Sequence, residues 1–163
     1  MKAPTLVKTQ LGFSLLELMV TLTIAGILAA IAVPAMQSIT TNRHADKLAS
    51  ELQLDIMYAR NQALSVSKAV TMKPLSNSWD NGWVIEQDGN TIRQKGSVSN
   101  PIAKKTGEIT STYTTATPLT FDKKGQSAAA GTFTINVADC TGNRKRTLQI
   151  NSIGQLMTTN ASC

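Results

Sequence analysis

The most constraining feature of the sequence is an apolar run near its N-terminus. Residues 13–33 contain a single charged side chain, Glu17, and the next charge is Arg43. A helix of these 21 residues, at about 1.5 Å per residue, is about 31 Å long and matches a hydrocarbon core of about 30 Å. The run therefore predicts a membrane-spanning helix.

A cleavable secretory signal peptide is the alternative interpretation of this run. Such a peptide has a small-residue cleavage site after its apolar region, and the stretch AAIAVPAM contains a loose Ala-x-Ala pattern. A different junction, Gly12-Phe13, stands before the run, and Lys2 and Lys8 precede that junction. By the positive-inside tendency, the two lysines predict a leader that faces the cytoplasm.

The stretch GFSLLELMVTLTIAGILAAIAVP resembles the class III leader junction of type IV pilins and type II secretion pseudopilins. The resemblance implies that prepilin peptidase removes residues 1–12 by cutting after Gly12, and that Phe13 becomes an N-methylated N-terminus. It also implies that Glu17 governs docking into the growing filament. From the residues alone, Glu17 either pairs with the new amine or reaches the lipid headgroups. Pro34 closes the run, and we expect it to loosen the helix and to mark the change from membrane to periplasm.

Beyond Pro34, apolar residues recur at steps of three or four, which predicts an amphipathic second half of the same helix over residues 34–67. The apolar stripe consists of Ala45, Leu48, Ala49, Leu52, Ile56, Ala59, Ala63 and Val66. The predicted opposite, polar face consists of Arg43, Asp46, Lys47, Glu51, Asp55 and Arg60. We interpret His44 as a solvated surface group without a function.

Residues 68–163 show short β-like runs separated by turn residues, which predict an antiparallel β-rich head. The clearest element is a hairpin, with strands 83–87 and 91–95 around an Asp-Gly turn. A strand at 68–74 is expected to stop at Pro74. The other candidate strands are 109–114, 119–121, 132–137, 147–150 and 156–158. The predicted fold class is α+β, with a long N-terminal helix packed on the head.

This layout is similar to that of the GspH/FimT group of the pilin superfamily. The segment ELQLDIMYARNQALSVSKAVTM resembles the group's path from helix to first strand, and INSIGQL resembles its closing hairpin. A basic residue often follows the glycine of that hairpin, whereas Gln155 stands there in this chain. The resemblance implies a type IV pilin-like fold. It also implies three partners, namely other pilin subunits, prepilin peptidase and the inner membrane.

The resemblance further implies a location. The chain would cross the inner membrane once, hold its head in the periplasm, and later join a cell-surface pilus. The periplasm is oxidising, so we expect a disulfide between Cys140 and Cys163, the two cysteines of the chain. It would enclose 22 residues and stabilise the head by about 3 kcal/mol in the chain-entropy model. Free thiols are the alternative.

The whole chain has a formal net charge of +6. Its positive charge is concentrated in the last part of the sequence. Residues 93–163 contain nine basic and three acidic side chains, whereas residues 34–92 contain five and six. Clusters that converge would hold phosphates, whereas scattered ones only improve solubility. The clusters, each in or beside a predicted turn, are Arg93 with Lys95, Lys104-Lys105, Lys123-Lys124, and Arg144-Lys145-Arg146.

Some FimT-type minor pilins bind DNA for natural transformation through a basic motif near the C-terminus, often written Gly-Arg-x-Arg. The segment Gly142-Asn143-Arg144-Lys145-Arg146 contains Arg-x-Arg, with Asn143 after the glycine. The resemblance therefore implies a pilus-tip subunit that binds DNA without sequence preference. The alternative is a minor pilin or pseudopilin that primes filament assembly without DNA. The aromatic residues Trp79, Trp83 and Tyr113 either stack on bases or belong to the core.

An enzyme is the least favoured class. The chain has one histidine and no CxxC pair, and we recognise no nucleophile–base pair, metal-ligand spacing or phosphate loop. The sequence thus predicts no catalytic residue, no metal and no cofactor.

Overall fold

In a computed structural model of the chain, residues 13–163 are described, and the predicted leader with Lys2, Lys8 and Gly12 lies outside them. Within these residues, one long helix is followed by eight strands. The elements are α1 (Leu15–Val66), β1 (Val70–Leu75), β2 (Ser78–Gln87), β3 (Asn90–Lys95), β4 (Ile109–Ser111), β5 (Leu119–Phe121), β6 (Gly131–Ile135), β7 (Lys145–Ile150) and β8 (Leu156–Ala161). The predicted α+β class, with one helix before an antiparallel head, is confirmed.

The first compact unit ends at Gln37, and its described part is the N-terminal stretch of α1. The hydroxyl of Ser14 accepts a hydrogen bond from the Glu17 amide at 3.2 Å and caps the helix. The hydroxyls of Thr21 and Thr23 donate to backbone carbonyls of the same helix at 2.9 and 2.8 Å. Because their hydroxyls are satisfied within the helix, both threonines are compatible with an apolar surrounding.

The large apolar side chains of this first stretch are exposed rather than packed, from Phe13 through Met36. By length and composition, this part of α1 is able to cross a membrane. Its apolar surface exceeds what a soluble domain leaves uncovered. A lipid or protein surrounding is therefore needed to cover it.

The second unit, Ser38–Cys163, is the head. It contains two four-stranded antiparallel sheets, with strand orders β3-β2-β1-β5 and β4-β6-β7-β8. The stripe predicted on α1 is buried against them from Ala45 to Ala63, and Val66 is half-buried. Among the described residues, the buried apolar side chains all lie between positions 45 and 150. A fragment of residues 38–163 thus contains the whole core, and we expect it to fold by itself.

The predicted hairpin is confirmed as β2 and β3. Gln87 pairs with Asn90, so the loop consists of Asp88 and Gly89. Both have positive φ, 51° and 79°, as a two-residue type I′ turn requires. The turn chemistry therefore sets the register of the two pairs next to the loop, and an irregularity between Ile85 and Glu86 shifts the register of the rest.

All the predicted strands are present, but most of their boundaries are wrong by one to five residues. The first strand starts at Val70 rather than at residue 68, and it does not stop at Pro74 but runs to Leu75. The ladder with β5 covers only Val70 to Met72, so Pro74 has a paired strand on one side alone, where a missing N–H is tolerated. Strand β4 is shorter than predicted and ends at Ser111, whose hydroxyl accepts the Tyr113 amide at 3.0 Å.

The aromatic residues belong to the core, so base stacking by these side chains is not supported. Trp79, Trp83 and Tyr113 are buried, and Trp79 meets Phe133 edge-on at 4.7 Å between ring centroids. Trp79 donates its ring N–H to the Tyr113 carbonyl at 2.8 Å. Burial raises the pKa of the Tyr113 phenol, and a hydrogen bond with Ser127 partly opposes that shift.

His44 was predicted to be a solvated surface group, and this prediction is wrong. Its side chain is only 9% exposed, and its Nε2 lies 2.8 Å from Oε2 of the buried Glu108. The same Glu108 oxygen accepts the Lys104 amide at 3.0 Å. The pair joins α1 to the loop before β4, which explains why a carboxylate is tolerated inside the head.

Candidate functional site

The candidate site is the C-terminal basic segment, defined here as residues 140–146. A disulfide joins Cys140 to Cys163, with a Cα–Cα distance of 5.6 Å, as is usual for such bonds. The Cys163 amide also donates to the Gly142 carbonyl at 3.0 Å. The expected disulfide is therefore present, and it fastens the segment to the chain end that follows β8.

The C-terminal basic segment is also fastened to the helix. The Thr141 amide donates to Asn42 Oδ1 at 2.9 Å, and Asn42 Nδ2 donates to the Thr141 hydroxyl at 2.8 Å. These reciprocal bonds connect residues 99 positions apart. The segment is consequently held in place from two independent sides.

Both arginines of the segment converge on one carboxylate, that of Asp46 on α1. Arg144 Nη1 donates to Asp46 Oδ2, and Arg146 Nη2 donates to Asp46 Oδ1 at 2.8 Å. Arg146 uses its other terminal nitrogen, Nη1, to donate to Asn160 Oδ1 at 2.7 Å. The three charged side chains remain partly exposed, at 35% for Arg144, 25% for Arg146 and 39% for Asp46. Water and small ions can thus reach the cluster.

Lys145 stands between the two arginines in sequence and is half-buried. Within residues 13–163 it has no ion-pair partner, so the group of Asp46, Arg144, Lys145 and Arg146 has a net charge of +2. Lys145 and Arg146 were predicted in or beside a turn, ahead of a strand at 147–150, but the strand starts earlier and the two residues open β7. Because side chains alternate along a strand, Lys145 projects to the face opposite the two arginines.

The cluster Lys104-Lys105 lies near the same end of the head. Lys105 Nζ is 3.2 Å from Asp139 Oδ2, and Asp139 directly precedes Cys140. Lys104 is exposed, and the described residues contain no acidic partner for it. Two of the four basic clusters are thus neighbours in the head.

The Arg93 and Lys95 cluster lies on the other flank of α1, in strand β3, where a strand was predicted. Lys95 Nζ is 3.2 Å from Glu51 Oε1, and Glu51 follows Asp46 by five residues. Five residues correspond to about 140° around a helix. Arg93 and Lys95 therefore do not share a surface with the C-terminal basic segment.

Asp55 was assigned to the polar face of α1, and this prediction is wrong. The side chain is buried, and Trp83 donates its ring N–H to Asp55 Oδ2 at 2.8 Å. Arg93 Nε lies 2.9 Å from the other oxygen, Oδ1, and its guanidinium is 4.8 Å from the centroid of the Tyr58 ring. Spacing was the available signal, since Asp55 stands three residues after Leu52 in the buried stripe.

The Lys123-Lys124 cluster occupies the turn after β5. The next residue, Gly125, accepts a hydrogen bond on its carbonyl from Arg60 Nε at 2.9 Å. Arg60 is 14 residues beyond Asp46 on α1, which corresponds to about 21 Å of helix. Both lysines are exposed. They stand apart from the C-terminal basic segment, so the nine basic residues do not form one continuous surface.

Arg60, also predicted on the polar face, instead ties two turns to the helix. Besides Gly125 it reaches the Ile153 carbonyl, at 3.3 Å from Nη2. Gly154, with φ of 77°, passes so close that a Cβ there would lie 2.0 Å from the Gly125 oxygen. The Arg60 and Gly154 positions, both inside the motifs that suggested the GspH/FimT group, are therefore required by packing between the two turns.

Among the described residues, no group of three or more His, Cys, Asp or Glu side chains is placed to hold a metal ion. The chemistry available at the candidate site is ionic: guanidinium and ammonium groups that bind anions.

Comparison with known families gives two matches. The model of the family described as "Type II transport protein GspH" matches residues 48–154, about two thirds of the chain. The chain belongs to this family. The model described as "Prokaryotic N-terminal methylation motif" matches residues 7–33. Together they place the chain in the superfamily of type IV minor pilins and type II pseudopilins.

Two solved structures are similar to this GspH-family chain, both of the type IV minor pilin FimU of Pseudomonas aeruginosa. One, in space group P21, is 22% identical, with a TM-score of 0.52, and the match covers 77% of this chain and 98% of that one. The other, in space group P65, is 25% identical, with a TM-score of 0.49 and coverages of 72% and 98%. The first supports the pilin fold. No curated protein matches the chain.

Proposed function

We propose that the protein is a minor subunit of a type IV pilus that binds DNA, without sequence preference, through its C-terminal basic segment. The observation that carries the proposal is the fixed position of that segment. The disulfide and the Asn42–Thr141 bonds hold it, and it presents partly exposed arginines with a local net charge of +2. A pre-positioned cationic segment binds a phosphate backbone with a smaller ordering cost than a mobile one.

The filament part of the proposal rests on the apolar stretch of α1. Prepilin peptidase would cut after Gly12, and Phe13 would become the methylated N-terminus. Glu17, on a helix whose large apolar side chains are exposed, would then neutralise the amine of Phe13 on its own chain or on a neighbouring subunit. Before assembly the chain would stay in the inner membrane with its head in the periplasm. Afterwards it would be displayed at the pilus tip for DNA uptake.

Retardation of DNA by the head fragment, residues 38–163, tests the DNA-binding part. Arg144→Ala combined with Arg146→Ala is expected to abolish retardation while the fragment stays folded. The matched control, Lys123→Ala with Lys124→Ala, removes the same charge from the far turn and is expected to retain retardation. Equal retardation by wild type and the arginine variant would exclude this segment as the contact.

One observation favours a second candidate, a minor pilin or type II secretion pseudopilin that primes assembly without DNA. Arg144 and Arg146 share a carboxylate, and Arg93, Lys95 and Lys105 each face one. Their charge is thus partly compensated inside the head. A head that shows no salt-dependent DNA binding, together with loss of pili or of secretion on deletion, would identify this second function.

A further inference from the structure

We infer that Asp46 occupies an anion site formed by Arg144 and Arg146, and that it competes there with the phosphate groups of DNA. The existence of the anion site is argued from geometry alone. The identity of the competing anion as DNA phosphate rests on the proposed function. The contact then acts as an internal competitor that sets how tightly the head binds.

The first step concerns the shape of the site. Each oxygen of the Asp46 carboxylate receives one guanidinium, Oδ2 from Arg144 and Oδ1 from Arg146, the latter at 2.8 Å. The planar fork of a guanidinium binds carboxylate and phosphate oxygens in the same manner. Two forks that converge on two oxygens of one carboxylate are thus also placed to bind two oxygens of one phosphate.

The second step is that the Arg146 side chain and the backbone of Arg144 have contacts besides Asp46. Arg146 lies in the β6–β7–β8 ladder, opposite Asn160, and also donates to the Asn160 side chain at 2.7 Å. The Arg144 amide donates to the Gly142 carbonyl at 3.1 Å, next to the disulfide. Removing the carboxylate of Asp46 therefore leaves the Arg146 guanidinium bound to Asn160 and the Arg144 backbone in place, without the anion.

The third step is access. The Asp46 side chain is 39% exposed, so it can turn into solvent without a change in the helix. Ion pairs exposed to this degree are weak, because water and salt screen both charges. A polyanion that also meets Lys104, near the same end of the head, gains a contact that Asp46 does not provide. Exchange of the carboxylate for a phosphate is consequently favourable at low salt.

Removal of the Asp46 carboxylate should therefore change anion binding in the direction opposite to that expected for a purely structural ion pair. If Asp46 only held the segment in place, its removal would loosen the arginines and weaken anion binding. If it fills the anion site, Asp46→Asn strengthens binding, by roughly three- to tenfold, a scale set by the strength of exposed ion pairs. The DNA affinity of the Asp46→Asn variant should also depend more steeply on salt. The slope of log affinity against log salt concentration should become steeper by about 0.9 for each additional phosphate that is bound.

The experiment uses the head fragment, residues 38–163, as wild type, Asp46→Asn and Asp139→Asn. Asp139→Asn is the matched control because it removes one carboxylate from the same end of the head, where Asp139 is 83% exposed and faces Lys105. The probes are inorganic phosphate, followed through the NMR signals of the arginine Nε–H groups, and a short duplex DNA. Thermal unfolding confirms the fold, and Asp46→Ala provides a second variant that lacks the carboxylate.

Tighter phosphate and DNA binding by Asp46→Asn than by wild type and by Asp139→Asn supports the inference. Unchanged or weaker phosphate binding by both Asp46 variants, or an equal gain in Asp139→Asn, overturns it. Tighter phosphate binding without DNA binding by any variant supports the anion site and rejects the DNA-binding proposal. Arginine-dependent DNA binding that Asp46→Asn does not change supports that proposal and rejects the competition.

Discussion

Asp46 of α1 and Arg146 of β7 are 100 residues apart in the sequence, and their side chains meet at 2.8 Å in the head. The same relation recurs along the helix, where Glu51 and Asp55 meet Lys95 and Arg93. The acidic side chains of α1 thus neutralise part of the positive charge that residues 93–163 contribute. They also link both sheets to the helix, one on each flank.

Arg93 should be a stabilising residue rather than a DNA contact. Arg93→Met removes the cation beside Asp55 Oδ1, an oxygen that accepts no well-aligned hydrogen bond among the described residues. The buried carboxylate then keeps only the hydrogen bond that Trp83 donates to Oδ2. Because Arg93 is 43% exposed, solvent reduces the loss, and we expect about 1–2 kcal/mol less stability in urea unfolding. Lys95→Met, the control, removes a more exposed pair and should cost less than about 1 kcal/mol. Equal costs would contradict the assigned role of Arg93.

The disulfide should contribute substantially to the stability of the head. Cys140→Ser with Cys163→Ser removes a bond between residues 23 positions apart, which corresponds to about 3 kcal/mol and roughly 10 °C in Tm. Calorimetry of the head fragment, residues 38–163, measures the difference, and reduction of the wild type should reproduce it. An unchanged Tm in both cases would show that the Asn42–Thr141 bonds and the β7–β8 ladder hold the segment without the disulfide.

Gly154 should be irreplaceable for steric reasons. Gly154→Ala would bring a Cβ to 2.0 Å from the Gly125 oxygen and 3.0 Å from Arg60 Nε, at a φ of 77°. Gly107→Ala is a matched control, because Gly107 has a similar φ of 87° but a Cβ added there would meet no atom within 4 Å among the described residues. The control measures backbone strain alone, about 1 kcal/mol, and Gly154→Ala should cost at least about 2 kcal/mol more in urea unfolding. Similar losses for the two variants would contradict the close approach.

The local features of this fold could be predicted from the sequence. The β2–β3 hairpin follows from the Asp-Gly turn, and the buried stripe of α1 follows from its periodicity. These signals act over a few residues. The family was likewise recognisable, since the leader junction and the segment around Arg60 are contiguous motifs.

The long-range ion pairs could not be predicted. His44 pairs with Glu108 across 64 residues, and Asp46 with Arg144 across 98. Charge counted by sequence segment assigns the acids and the bases to different regions, although the fold brings them together. The position of Asp55, three residues after Leu52, indicated the buried face of α1. Because the side chain is charged, we assigned it to the solvent-exposed face. Such errors arise wherever tertiary pairing compensates a buried charge.

Glu17 should be needed for filament incorporation rather than for membrane insertion. Glu17→Gln removes the charge that we propose to pair with the amine of Phe13. We expect the subunit to be depleted at least about tenfold from sheared pili, the ratio expected for loss of about 1.4 kcal/mol, with its amount in the membrane unchanged. Thr23→Val is the control, because the Thr23 hydroxyl bonds within the helix, at 2.8 Å to the Met19 carbonyl. Wild-type incorporation of Glu17→Gln, measured by immunoblot, would contradict the pairing.

The central claim, that the head binds DNA through its C-terminal basic segment, is tested most directly by a titration of the head fragment with duplex DNA at two salt concentrations. Contacts with phosphate release counterions, so the affinity must fall steeply as salt rises, with a log–log slope of about −0.9 per phosphate bound. Three or four phosphates would give a slope of about −3 to −4. We predict that slope for the wild type and no measurable binding for Arg144→Ala with Arg146→Ala. No binding by the wild type at low salt, or a slope that the arginine variant leaves unchanged, would contradict the claim.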